Sequence, residues 1–175
     1  LPMFQILVAY GIVQSFLLAK RGLPSHLYSF ALIGVILFAL FNVAYYLEDY
    51  HTHYAKRFSH EWQYGYKDAI AYISQVENKY DKIYMTKALG RPYVYTLFYK
   101  QYDPKKFRSE AIVQREVLGF VTVKSFDKYY FDKEEVQKTQ EKNILYIDTP
   151  KDVPGNALLQ KKFYLLNGEE SLVAY

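Results

Sequence analysis

The stretch Lys87-Ala88-Leu89-Gly90-Arg91 sets two cations around a glycine just before Pro92, a residue that suits the first turn of a helix. The unpaired N–H groups of that helix start, with Lys87 and Arg91 beside them, could bind an anion such as a lipid phosphate or an acidic glycan. The same residues also fit a solvated loop, because a single glycine makes no phosphate cradle. A second set is aromatic: Trp62, Tyr64 and Tyr66 could offer flat faces to a sugar or an acyl chain. Spacings of three and four place Trp62 and Tyr66 on an apolar helix stripe, hence in the core. That leaves Tyr64 and Lys67 as the exposed candidates for binding.

Two polar groups lie upstream. Glu48-Asp49, an acidic pair just past an apolar run, is the type of group that serves as a general base, although ionisable residues at a helix end sit cheaply in the interface. His51 and His53, with Glu48, Asp49 and His60 nearby, would share a face of an extended strand, and imidazole suits zinc or copper. Neither an H-E-x-x-H spacing nor a cysteine accompanies them, so they read as interfacial histidines, with no metal and no cofactor expected. The chain has no G-x-x-x-x-G-K, G-x-G-x-x-G or G-x-S-x-G, which leaves nucleotide and serine-hydrolase readings without support.

The elements that must position these residues divide into two parts. Leu27 to Leu47 carries no charged side chain, and a helix of that length spans about 30 Å, the thickness of a hydrocarbon core. Tyr28, Tyr45 and Tyr46 sit at its ends, where amphipathic rings favour the headgroup boundary. Leu1 to Ala19 is a second uncharged run, less apolar through Gln5, Gln14 and Ser15, with Ala9, Gly11 and Ser15 small enough for close helix approach. A chain that opens inside such a run reads as the C-terminal piece of a longer polypeptide. The connection Lys20 to His26 holds Lys20 and Arg21 and no acid, so the positive-inside rule places it in the cytoplasm and everything after about residue 50 outside. The expected domains are 1–48, two transmembrane helices (1–19 and 27–47), and 49–175, an extracytoplasmic domain.

All but two of the 22 Lys and Arg and all 18 acids lie after Leu47, so the outer part is nearly neutral. That excludes the concentrated basic face that nucleic acid requires. With no cysteine, the domain must be held by its own core. Residues 48–58 read as a polar, aromatic tether. Ser59 reads as the N-cap of a helix through Tyr80, Lys82–Thr86 as a strand, Pro92–Tyr102 as a helix and Lys105–Arg115 as another. Gly119–Ser125 and Lys128–Phe131 read as strands and Asp132–Lys142 as a short helix. Asn143–Ile147 is a buried strand, and Leu159–Leu166 and Ser171–Tyr175 form a hairpin around Asn167-Gly168. Alternating strands and helices make this an α/β domain with a mixed sheet.

The marks HEWQYGYKDAIAYI (60–73), YDKI (80–83), GRPY (90–93), LFY (97–99), YDP (102–104) and NILYI (143–147) follow a last membrane helix. In that order they resemble the C-terminal extracytoplasmic domain of bacterial membrane glycosyltransferases of the GT-C type, the dolichyl-phosphate-mannose protein mannosyltransferase-like and aminoarabinose-transferase-like enzymes. The resemblance implies a multi-pass membrane enzyme that transfers a sugar from a polyprenyl-phosphate donor to a glycan, lipid or protein acceptor outside the cytoplasm. It also implies a catalytic acid in a first outer loop to which nothing here corresponds, so this piece is expected to be inactive alone. The competing reading is a membrane-tethered binding or assembly module without catalysis.

Overall fold

The structure, a computed structural model, describes residues 2–115 and 119–175. The chain forms two units, Leu1–Thr52 and His53–Tyr175.

The first unit is a helical hairpin, α1 (Pro2–Gly22) and α2 (Ser25–Asp49), broken at Pro24. Helical structure continues past α2 through a π turn (Tyr50–Tyr54) and α3 (Ala55–Arg57). The two continuous helices, Pro2–Gly22 and Ser25–Arg57, are 21 and 33 residues long, and their apolar stretches hold no buried residue and are apolar enough to cross a membrane. Some of their polar side chains bond back within the helix: Ser15 donates to Gly11 O at 2.8 Å and Asn42 to Phe38 O at 2.7 Å. Each such bond offsets the cost of placing a polar group in hydrocarbon. Within this chain a Cβ on Gly11 would meet nothing within 4 Å among the described residues. The tether expected over 48–58 is helical, so His51 and His53 lie on a helical turn and not on one face of an extended strand.

The second unit is a seven-stranded sheet in the order β2-β3-β4-β1-β5-β7-β6. Its strands are β1 (Lys82–Met85), β2 (Ile112–Arg115), β3 (Val121–Phe126), β4 (Tyr129–Tyr130), β5 (Ile144–Asp148), β6 (Lys161–Tyr164) and β7 (Glu170–Ala174). The middle strand β1 runs parallel to β4 and β5, and the outer pairs are antiparallel. This is a mixed sheet. The helices are α4 (Tyr66–Val76), α5 (Pro92–Tyr99), α6 (Pro104–Glu110) and α7 (Lys133–Gln137). Tyr66, Ala69, Ile70 and Ile73 recur at helical spacing and bury α4 in a core with Ile83, Met85, Leu145, Ile147 and Phe126. Pro92 opens α5, and Asp103 caps α6 by accepting from Lys105 N at 2.8 Å.

Several expected bounds move, each for a local reason. The helix expected from Ser59 begins at Tyr66, because Ser59 Oγ bonds back to Lys56 O and closes the preceding helix instead of opening a new one. Gln63 (φ 56°) and Gly65 (φ 121°) then interrupt the helical path. A Cβ on Gly65 would lie 2.4 Å from Ser171 Oγ, so this turn packs against β7 only with glycine there. Trp62, expected in the core, is 63% exposed in consequence. The helix expected over Lys105–Arg115 stops at Glu110, and the β-branched pair Ile112-Val113 starts β2 against β3. The helix over 132–142 shortens to Lys133–Gln137.

Candidate functional site

In open α/β sheets ligands bind beyond the carboxyl ends of parallel strands. Here β4, β1 and β5 end at one edge, and the loops that follow them carry Lys87–Arg91, Asp132-Lys133 and Asp148–Asp152.

The structure places Lys87 and Arg91 in the expected loop and gives them different partners. Lys87 Nζ lies 3.5 Å from Asp132 Oδ2, and the Arg91 guanidinium stands 5.4 Å from the centre of the Phe120 ring. Asp132 also caps α7, accepting from Glu134 N at 3.1 Å. Burial pushes its carboxyl up, but the Lys87 charge and the helix N–H groups outweigh burial and hold it below the usual carboxylate range. Lys87 is thus already paired with a carboxylate. Tyr64 and Lys67 do not join this loop. Tyr64 lines a separate groove of about 360 Å³ with Asp68, Tyr72, Phe163 and Leu166, while Lys67 is exposed on α4.

Beside the loop is a cavity of about 540 Å³ lined by His60, Ala88, Leu89, Thr149, Lys151 and Ser171, among others. The expected loop therefore contributes its apolar middle to the cavity. Thr86 Oγ1 accepts from Ala88 N at 3.2 Å and shapes that turn. Ser171 Oγ donates to Tyr64 O at 2.7 Å and Thr149 Oγ1 to Asp152 Oδ2 at 2.6 Å, so each hydroxyl proton is committed and only its acceptor capacity remains. Gly90, at φ 136°, lets the Gln63 amide pack onto the loop: a Cβ there would lie 2.5 Å from Gln63 Cδ. Among the described residues, Gln63 Oε1 is a buried side-chain oxygen without a hydrogen-bond partner.

On the sheet face opposite α4, register aligns Tyr130, Tyr84 and Tyr146, and Tyr146 exchanges two backbone hydrogen bonds with Tyr175. The rings pack on one another: Tyr84 and Tyr146 at 5.7 Å, Tyr146 and Tyr175 stacked at 5.4 Å. Beside them, Asp148 is 2% exposed, accepts from Thr149 N at 3.1 Å and pairs with Lys133 Nζ at 3.0 Å. Burial lowers the Lys133 amine, yet its bond to Asp148 leaves it raised overall. Burial and the Asp148 charge push the Tyr175 phenol up to about 12 and the Tyr84 phenol up as well. Sequence reading missed this pair. The available signal was an acid at the carboxyl end of the apolar run NILYI, where a parallel strand would present it to the ligand edge.

No family model, curated protein or solved structure matches the chain. Among the described residues no three His, Asp or Glu come together in a metal-holding group.

Proposed function

We propose that the chain is the C-terminal part of an integral membrane glycosyltransferase that moves a sugar from a polyprenyl-phosphate donor to an extracytoplasmic acceptor. The observation that carries this reading is the order of parts: two helices long and apolar enough to cross a membrane, followed at once by an α/β unit with a largely apolar cavity at its ligand edge. Lys20 and Arg21 orient the hairpin with its loop in the cytoplasm and the second unit outside. The cavity holds part of the acceptor, and the catalytic acid comes from elsewhere in the enzyme.

The cavity is tested by filling it. Ala88→Trp should raise the Michaelis constant for the acceptor about ten-fold with melting temperature little changed, because Ala88 is exposed at the rim. An unaltered constant would remove the cavity from the mechanism. Orientation is tested separately: the chain contains no cysteine, so Ser109→Cys on exposed α6 gives one reactive thiol. It should react with an impermeant maleimide in intact spheroplasts, and labelling only after lysis would reverse the topology.

A further inference from the structure

We propose that Trp62, Arg91, Val94, Phe98 and Phe120 form a face of the second unit that rests in the headgroup layer of the bilayer. The inference rests on the membrane reading above and goes beyond it by naming the surface and its lipid partner. Phe98 is 73% exposed, Trp62 63%, Phe120 54% and Val94 47%, high values for large apolar side chains. Val94 and Phe98 share one face of α5 at a spacing of four, and Arg91 is the residue that precedes the helix. Arg91 extends that face to Phe120 by standing over its ring, and the Gln63 amide against Gly90 brings the Trp62 turn to the same loop.

Composition selects lipid as the occupant. Tryptophan and other aromatic rings beside an arginine suit the boundary between hydrocarbon and headgroups, where rings sit among acyl ends and the cation meets phosphate.

The protein carries its own probe, since Trp62 is its single tryptophan. The full chain in nanodiscs of phosphatidylethanolamine and phosphatidylglycerol should show blue-shifted tryptophan emission. Lipid labelled with doxyl at carbon 5 should quench it about two-fold, and more than lipid labelled at carbon 12. Phe98→Ser with Phe120→Ser should reduce that quenching by lifting the face, and folding should survive because both side chains are exposed. Unquenched emission overturns the proposal, whether red from water or blue from contact with protein. Alkaline carbonate separates the two levels: release of the chain from membranes overturns the membrane reading itself, whereas retention with unquenched Trp62 overturns this face alone.

Discussion

Lys133→Ala should lower the stability of the second unit by about 3 kcal/mol, more than a hundred-fold in the ratio of folded to unfolded chain. The reason is the partner left behind. Asp148 is 2% exposed at the carboxyl end of β5, and without Lys133 its carboxylate would keep the Thr149 N–H and lose the ammonium bonded to it. Breaking a buried pair typically costs about 3 to 5 kcal/mol, and the lower end applies because Lys133 itself is 43% exposed. Thermal melting should drop by about 10 °C. Asp148→Asn, which removes the charge and keeps an acceptor for Thr149 N, should recover most of the loss when combined with Lys133→Ala. A single variant that melts like the parent would show that water already solvates Asp148.

Glu77→Ala should cost about 2 to 3 kcal/mol by a different route. Glu77 follows α4, and its Oε2 accepts from Lys100 Nζ at 2.6 Å and from the Tyr129 hydroxyl, tying the helix end to α5 and β4. Lys128 Nζ adds a bond to Glu77 O at 2.7 Å. Removing the carboxylate strands a half-buried ammonium and a buried phenol. Burial pushes Glu77 up, but the two side-chain bonds and the charges of Lys100 and Lys128 outweigh it and hold the carboxyl below the ordinary 4.5. A depressed folded value means the contribution is complete above the unfolded value and is lost as pH falls through the folded one. The parent should therefore lose stability faster than Glu77→Gln below about pH 4.5. Parallel pH curves for the two would remove Glu77 from the acid response.

Much of this architecture was legible because it rests on local rules. Uncharged runs gave both long helices, Pro92 and Asp103-Pro104 marked helix starts, and NILYI and the Asn167-Gly168 hairpin gave strands beside the centre of the sheet and at its edge. What escaped depended on tertiary partners. Ser59 has the residue type of an N-cap and serves the helix behind it; Gly65 gives no sign in sequence that Ser171 lies against it. The helical stripe that would have buried Trp62 therefore never forms. The site was legible to the level of the loop. Lys87 and Arg91 were findable as cations before a proline, but the pairing of Lys87 with Asp132 and the seat of Arg91 over the Phe120 ring need a fold that brings positions far apart in sequence together. Asp148 and Lys133 escaped for the same reason.

The central claim is that these residues belong to an enzyme that uses a polyprenyl-phosphate sugar. The most direct measurement incubates the full polypeptide carrying them, reconstituted in liposomes, with labelled polyprenyl-phosphate hexose, pentose and amino sugar, and follows label into an acceptor fraction on the outer side. The account predicts transfer from at least one donor, and none when residues 1–175 are supplied alone. Correctly folded full polypeptide that moves label from none of the three donors would contradict it.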